Sequence, residues 1–278
     1  MSYTRPTGAV LMLVLLMIVL CFFAYAMRTL KYTQRTEVHT TDKPLGYISL
    51  TTTPDRIQND WILWNMERLV DVAPMSLGIV MHVPYVSKDR IWYAIPQRLK
   101  NLVASSNNRF VINRECDDLG PITKIVAALW LSFVENSDYI VVIDDDTCYK
   151  AQTFTRLLCA LQADNSVVYA MCNKSILGYQ GYAFQKRLLV DLKYLNIPAT
   201  CKMIDDDVVE YFIKHKAGLR IKAVSLGFAG RTCSFDRRLT YQRPHKSWHQ
   251  ISNILAHHHS SMKKECLKDL GRDTSTYP

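Results

Sequence analysis

One apolar strand that ends in three adjacent carboxylates constrains this chain more than any other feature. The run 139–143 is apolar, and Asp144, Asp145 and Asp146 follow it directly. Three neighbouring anions repel one another unless a cation lies among them. Because side chains alternate along a strand, Asp144 and Asp146 are predicted to share one side, where two carboxylates can bind a hard divalent ion such as Mg²⁺ or Mn²⁺. The alternative is a strand-end turn whose aspartates cap the following helix.

The rest of the chain alternates between strand-like and helix-like patterns. With 278 residues, 49% of them hydrophobic, it can bury the core of one large domain. We predict strands at 47–52, 76–83, 110–113, 139–143 and 167–171, and helices at 60–70, 121–131, 153–161 and 208–216. This alternation predicts an α/β fold with a mostly parallel sheet flanked by helices. In such a sheet ligands bind beyond the carboxyl ends of the strands, which is where the three aspartates lie.

An apolar segment near the amino terminus predicts a membrane anchor. Residues 9–27 carry no charged side chain, and a helix of this length spans about 28 Å, enough to cross a bilayer. We therefore divide the chain into five parts: a short tail at 1–8, a single-pass transmembrane helix at 9–27, a stalk at 28–43, a folded domain at 44–262 and a polar tail at 263–278.

The side of the membrane on which the domain lies stays open. Arg28, Lys31 and Arg35 follow the apolar segment, and by the positive-inside rule they favour a cytosolic domain. A signal anchor of the secretory pathway would place the domain in the lumen instead. Residues 24–26 read Ala-Tyr-Ala, as at a signal-peptide cleavage site, so removal of the segment is a third alternative.

The basic charge of the chain is concentrated in one stretch. The net charge is +9, and residues 214–246 hold nine lysines and arginines against one aspartate. This surplus suits an anionic ligand such as a diphosphate, an acidic glycan or lipid headgroups, or else it forms a solvated face. Nucleic acid is not an expected partner, because no nucleic-acid-binding motif accompanies the charge. The cysteines form no C-x-x-C pair, so neither a zinc site nor a disulfide framework is legible.

Four short motifs, in this order, carry a resemblance to a known family. They are ISLTTTPDRI at 48–57, DLGPITK at 118–124, IDDD at 143–146 and IDDDVV at 204–209. Together they resemble the GT-A-type glycosyltransferases of the nucleotide-diphospho-sugar transferase superfamily, and the resemblance covers roughly residues 47–224. It implies a GT-A-like, Rossmann-like sheet and a D-x-D motif that holds the diphosphate of a nucleotide sugar through Mn²⁺ or Mg²⁺. It also favours UDP as the nucleotide.

The donor side of such a site needs positive charge as well as a metal, because the donor brings at least two negative charges and its diphosphate leaves as an anion. The resemblance places the metal on Asp144 and Asp146. The residues that we predict to contact the donor lie on the first strand and its loop, on the helix before the aspartates and among the aspartates themselves: Thr51, Thr52, Arg56, Lys124 and Asp145. Lys124 could alternatively be an ordinary solvent-facing helix lysine.

The acceptor side of an inverting transferase needs a general base within hydrogen-bond reach of the incoming hydroxyl. The second acidic run lies at the start of a predicted helix, and the resemblance favours Asp207 as the base, with Asp206 next. The alternative is that these aspartates only cap the helix. The sequence does not choose a histidine metal ligand among His245, His249 and the run 257–259.

These patterns predict a membrane-anchored, metal-dependent glycosyltransferase that moves a sugar from a nucleotide diphosphate to a hydroxyl of a glycan, protein or lipid. Two alternatives stay open. A HAD-type phosphohydrolase also carries a D-x-D at the end of a buried strand, although usually near the start of its domain. A non-catalytic member of the same fold would bind glycans or partners without turnover.

Overall fold

The computed structural model describes residues 17, 43–171, 175–176, 178–198, 201, 205–224 and 263–271. The chain divides into two compact units, Met1–Asp42 and Lys43–Pro278, and the fold below is that of the second. Within the described residues, no helix is long and apolar enough to cross a membrane. The predicted anchor at 9–27 lies outside these residues except for Met17, and the histidines at 245, 249 and 257–259 lie outside them as well.

Seven strands form one sheet in the order β3-β2-β1-β4-β6-β5-β7. Their bounds are β1 Gly46–Thr51, β2 Leu77–His82, β3 Phe110–Asn113, β4 Tyr139–Val142, β5 Val168–Ala170, β6 Tyr182–Gln185 and β7 Ile221–Ala223. The pairs β1–β2, β2–β3, β1–β4 and β5–β7 are parallel, whereas β6 runs antiparallel to both β4 and β5. The predicted mostly parallel α/β fold is therefore confirmed.

Helices cover both faces of the sheet. They are α1 Asp60–Val72, α2 Gln97–Ser105, α3 Thr123–Trp130, α4 Ala151–Ala163, α5 Asp205–Tyr211, which continues as a π-helical turn at Phe212–Lys216, and α6 at 263–271. Asn59 caps α1 by accepting a hydrogen bond from the Trp61 amide at 2.8 Å. Gly120, at φ +74°, turns the chain into the short 3₁₀ helix Gly120–Ile122 that leads into α3.

The alternation of apolar side chains along β4 divides the core into two layers. Val141 and Ile143 pack with α1 and α4 on one face, while Ile140 and Val142 pack with α3 and α5 on the other. Each of the four is at most 1% exposed, as expected for a parallel strand that is covered on both sides. Strand β4 thus separates the two layers of the core up to the point where the aspartates begin.

The structure adds elements that the sequence patterns did not predict. Helix α2 and strands β6 and β7 were not predicted, and the glycine-flanked loop predicted at 178–181 is instead the 3₁₀ helix Gly178–Gln180 leading into β6. Part of the segment predicted as a polar tail forms α6, with Cys266 and Leu270 buried. Cys266 forms a disulfide with Cys201, 65 residues earlier, so the cysteines do carry a cross-link. Sequence spacing does not reveal it because only the fold brings the two together.

The direction of the strand order reverses between β1 and β4. From β1 the order runs outward to β2 and β3 on one side, and to β4 and the later strands on the other. The loops after β1 and β4 therefore leave the same edge of the sheet side by side, which is the position where open α/β sheets bind ligands. Arg56 lies beyond β1, and the aspartates at 144–146 lie beyond β4.

Candidate functional site

A buried lysine joins the two acidic runs of the sequence. Lys124, in the first turn of α3, lies 2.5 Å from Asp144 Oδ1 and 2.7 Å from Asp205 Oδ2 through its Nζ. Its side chain is only 4% exposed. Burial alone lowers the pKa of a lysine, but the charges of Asp205 and Asp144 outweigh burial and hold the pKa of Lys124 well above its ordinary value. Lys124 is therefore a fixed cation inside the site and not a solvent-facing lysine.

Arg56 binds the other two aspartates of the first run. Its Nη2 lies 2.8 Å from Asp145 Oδ1 and 2.8 Å from Asp146 Oδ2. The Asp145 side chain is 5% exposed, and burial raises its pKa to about 6 against the opposing charge of Arg56. The three aspartates thus divide between two cations, with Asp144 on Lys124 and the other two on Arg56.

This division departs from simple strand alternation. Strand β4 ends at Val142, before the aspartates, so the strict two-residue period does not continue through them. Asp144 binds Lys124 on α3, whereas the Asp145 carboxylate binds Arg56 and its backbone carbonyl accepts a hydrogen bond from Asn65 on α1. Asp146 lies in the turn beyond. Its side chain is 27% exposed and that of Asp144 is 29% exposed, so these two carboxylates form the open part of the cluster.

Hydrogen bonds to the backbone hold the aspartate turn in place. Asn65, buried on α1, donates to the carbonyls of Asp145 at 2.7 Å and Thr147 at 3.2 Å. The Asp144 amide donates to the Tyr149 hydroxyl at 3.1 Å, and that hydroxyl donates to the Gly178 carbonyl at 3.0 Å. The turn is therefore tied both to α1 and to the loop before β6.

Gly178 approaches the Asp144–Lys124 pair so closely that a side chain here would force its neighbours to shift. A Cβ at this position would lie 2.8 Å from Asp144 Oδ1 and 2.8 Å from Lys124 Nζ. The Gly178 amide in turn donates to Asp206 Oδ2 at 2.8 Å. Gly178 thus connects the D-x-D turn to the acidic start of α5.

The three aspartates of α5 have different environments. Asp205 is on the buried face with Val208 and Val209 and binds Lys124. The Oδ1 of Asp206 is buried without a hydrogen-bond partner among the described residues. Burial, followed by the charge of Asp205, raises the pKa of Asp206 to about 7. Asp207 forms an ion pair with Lys263 of α6.

Both threonines predicted to contact the donor also make hydrogen bonds within the fold. The Thr51 hydroxyl donates to the His82 carbonyl at 2.8 Å. Thr52 is buried, and its carbonyl accepts a hydrogen bond from the Tyr93 hydroxyl at 3.0 Å. Their place beside Arg56 still puts them at the reversal of strand order.

The structure brings most of the predicted residues into one cluster and adds others. Arg56, Lys124 and the aspartates at 144–146 and 206 are linked directly or through Gly178. Sequence reasoning missed Asp205, Gly178 and Tyr149. Asp205 could have been found from helical spacing, because it precedes the apolar Val208 and Val209 by three and four residues and so shares their buried face.

The carboxylates of Asp144 and Asp146 fit a divalent ion that takes its other ligands from a phosphate and from water. Among the described residues, no group of three or more histidine, cysteine, aspartate or glutamate side chains is arranged to hold a metal. The ion pairs engage Asp144 Oδ1 and Asp146 Oδ2, so one oxygen of each carboxylate stays available among the described contacts. Mg²⁺ commonly takes one or two carboxylates and completes its shell with substrate phosphates and water.

Comparisons with known proteins find similar solved structures but no matching family and no matching curated protein. Neither a scan against protein-family models nor a search of curated proteins finds a match. Similar solved structures include the mannosyltransferase PcManGT from Pyrobaculum calidifontis in complex with GDP-Man and Mn²⁺ (13% identity, 72% of this chain and 61% of that one, TM-score 0.47). They also include S. aureus TarS 1–349 (13% identity, 65% of this chain and 58% of that one, TM-score 0.44). A third is a cytidylyltransferase from Leptospira borgpetersenii (13% identity, 65% of this chain and 75% of that one, TM-score 0.44).

A putative nucleotide-diphospho-sugar transferase from Desulfovibrio desulfuricans G20 is also among the similar structures, at 13% identity over 65% of this chain and 79% of that one, with a TM-score of 0.40. The chain spans less than two thirds of the length of PcManGT and of TarS 1–349. At 13% identity and TM-scores below 0.5, these similarities carry no argument about activity, which rests below on the site itself.

Proposed function

We propose that this protein is a metal-dependent glycosyltransferase that uses a nucleotide-diphosphate sugar, with UDP as the favoured nucleotide. One observation carries the proposal. Two partly exposed carboxylates, Asp144 and Asp146, lie with Arg56 and the buried Lys124 at the reversal of strand order, and an aspartate of raised pKa lies beside them. This combination suits a reaction in which a diphosphate leaves and a hydroxyl loses a proton.

The cations and carboxylates have separate tasks on the donor side. Asp144 and Asp146 would hold Mn²⁺ or Mg²⁺, which would neutralise the departing diphosphate. Lys124 keeps Asp144 oriented through their 2.5 Å contact. Arg56 is 39% exposed, so it can turn part of its guanidinium toward a phosphate while it stays near Asp145 and Asp146.

The proton of the acceptor hydroxyl goes to an aspartate of α5. We favour Asp206 over Asp207, because Asp206 has a pKa of about 7 and an oxygen with no hydrogen-bond partner in the part of the chain that the structure describes, whereas Asp207 is paired with Lys263. As the proton moves to Asp206, the acceptor oxygen attacks the anomeric carbon. The bond from this carbon to the phosphate oxygen breaks, and its electrons leave with the nucleoside diphosphate. Direct displacement of this kind inverts the anomeric carbon.

The compartment and the acceptor belong to the proposal as well. The acceptor is a hydroxyl of a glycan, protein or lipid, and the apolar segment at 9–27 would anchor the protein in a membrane. The Cys201–Cys266 disulfide favours an oxidising compartment, the lumen of the secretory pathway or the outside of the cell.

A donor panel tests the proposal. The full chain is incubated with Mn²⁺ and nucleotide sugars, and nucleoside diphosphate release is measured beside a variant that carries Asp144→Ala and Asp146→Ala. We expect release from one donor, abolished in the variant and by chelation. The matched control is Asp60→Ala, which removes an exposed aspartate at the start of α1 and should leave release unchanged.

Other outcomes would replace the proposal. Release of pyrophosphate from a nucleoside triphosphate would indicate nucleotidyl transfer. Hydrolysis of an aryl phosphate would indicate the HAD-type reaction. Metal-dependent nucleotide binding without sugar release, even with a broad acceptor panel, would indicate a non-catalytic member of the fold.

A further inference from the structure

A buried chain of polar side chains crosses three strands behind the site. Ser49 on β1, His82 at the end of β2 and Asn113 at the end of β3 are at most 2% exposed. Strand alternation directs all three to the α3 face of the sheet, since their neighbours Ile48, Leu50, Met81 and Ile112 pack on the opposite face. The large majority of polar groups buried at this depth in proteins are hydrogen-bonded.

The contacts define a continuous path that ends on α3. Asn113 Nδ2 lies 3.0 Å from His82 Nδ1, and His82 Nε2 lies 3.0 Å from Ser49 Oγ. The Ser49 hydroxyl then donates to the backbone carbonyl of Lys124. The path therefore connects the third strand of the sheet with the residue whose side chain bridges the two acidic runs.

Hydrogen-bond chemistry fixes the direction of this path. The Asn113 side-chain carbonyl already accepts from the Glu115 amide at 3.1 Å, so its NH₂ group faces His82 and donates to Nδ1. Nδ1 must then be an acceptor, and the neutral ring carries its proton on Nε2 and donates it to Ser49 Oγ. The Ser49 proton is left for the Lys124 carbonyl. Burial supports the neutral ring, since it lowers the pKa of His82 to about 3.

We propose that Asn113, His82 and Ser49 are positioning residues that fix the backbone of Lys124 and thereby aim its ammonium group between Asp144 and Asp205. The effect that we expect on donor binding rests on the proposed function. The hydrogen-bond geometry does not depend on it. Because Lys124 Nζ contacts Asp144, in the turn after β4, and Asp205, on α5, a displacement of α3 would lengthen at least one of the two contacts.

Paired substitutions separate positioning from plain stabilisation. Ser49→Ala removes the donor to Lys124. His82→Gln keeps one acceptor and one donor, whereas His82→Leu keeps neither. Gln185→Ala is the matched control. Gln185 is a buried sheet residue, paired with Tyr139 at the start of β4, and its side chain donates to the Ser137 carbonyl.

The first readout is the affinity of the full chain for Mn²⁺ with UDP. We expect Ser49→Ala and His82→Leu to weaken it by about tenfold, and His82→Gln to restore most of it. Gln185→Ala should lower the thermal stability without changing the affinity. Equal losses of stability in Ser49→Ala and Gln185→Ala with unchanged affinity in both would overturn the proposal.

The second readout does not depend on binding or turnover. Nitrogen-15 NMR of the histidines should show His82 neutral, with its proton on Nε2, and the buried Lys124 ammonium protons should exchange slowly. In Ser49→Ala this exchange should accelerate, while in Gln185→Ala it should not. A His82 proton on Nδ1, or unchanged exchange of the Lys124 ammonium protons in Ser49→Ala, would refute the positioning role. This test holds even if the protein binds no nucleotide.

Discussion

At the scale of single residues, Gly178 is the position where the site has least room. Replacing it with alanine would place a Cβ 2.8 Å from both Asp144 Oδ1 and Lys124 Nζ. The ion pair or the loop must shift, so we expect Gly178→Ala to weaken Mn²⁺-dependent nucleotide binding by about tenfold or more. Isothermal titration on the full chain measures this loss.

The control for that prediction is Gly271→Ala. A Cβ at Gly271 meets no heavy atom within 4 Å, so this variant should bind as the unaltered chain does. Equal affinity of Gly178→Ala and the unaltered chain would mean that the close approach of Gly178 has no part in the site.

Asp206 determines a pH dependence at the same scale. A general base must be ionised, and the pKa of Asp206 is raised to about 7 by burial and by Asp205. The value of kcat/KM, which reports the free enzyme, should therefore fall as the pH decreases below about 7. Asp206→Asn should reduce transfer by about two orders of magnitude. In Asp207→Asn, kcat/KM should still fall as the pH decreases below about 7. Loss of transfer in Asp207→Asn alone would return the role of base to Asp207.

At the scale of elements, α6 has a covalent link to Cys201, which precedes α5, and an ionic link to α5 itself. The Cys201–Cys266 disulfide closes a loop across a separation of 65 residues, and Lys263 of α6 pairs with Asp207 of α5. Closing a loop of this length stabilises the fold by about 4 kcal/mol in the chain-entropy account. We expect Cys266→Ala, or reduction, to lower the unfolding free energy by a comparable amount.

Urea unfolding with and without reductant measures that loss. Lys263→Ala serves as the comparison, because it removes only a partly exposed ion pair, which contributes about 1 kcal/mol or less. If reductant left the unfolding midpoint of the unaltered chain in place, the disulfide would have no part in holding α6.

The elements also show where sequence patterns succeed and fail. Strand β3 is at the predicted residues, and α1 begins at the predicted Asp60, because strong local patterns and caps mark them. Strand β6 was missed, since four residues after a turn have too little periodicity to report a strand. Its place between β4 and β5 is decided by pairing across the sheet.

At the scale of the whole molecule, His82 couples folding to acid pH. Its pKa is lowered by burial to about 3, well under the unfolded value of 6.5, so the unfolded chain binds a proton that the folded chain excludes. The stability that this neutral histidine carries is present above about pH 6.5 and is lost as the pH falls toward 3. Between pH 7 and pH 4 the loss is roughly 3 kcal/mol.

Denaturant unfolding at both pH values tests this coupling. Acidic residues titrate in the same pH window, so the unaltered chain must be compared with His82→Gln, whose glutamine does not titrate. Between pH 7 and pH 4 this variant should lose less stability than the unaltered chain. The difference should be roughly the loss attributed to His82. Parallel losses in the two proteins would show that His82 does not control acid stability.

Local sequence patterns are sufficient to predict the fold class and the end of the sheet at which the candidate site lies. Apolar runs and helical spacing are local properties, and a strand that ends in three aspartates marks the carboxyl edge wherever it lies in a parallel sheet. What only the tertiary structure decided is which groups meet there. Lys124 joins Asp144 to Asp205, Gly178 connects the turn to Asp206, and Cys201 meets Cys266. These contacts join residues that lie far apart in the chain, so packing, and not local pattern, sets their distances.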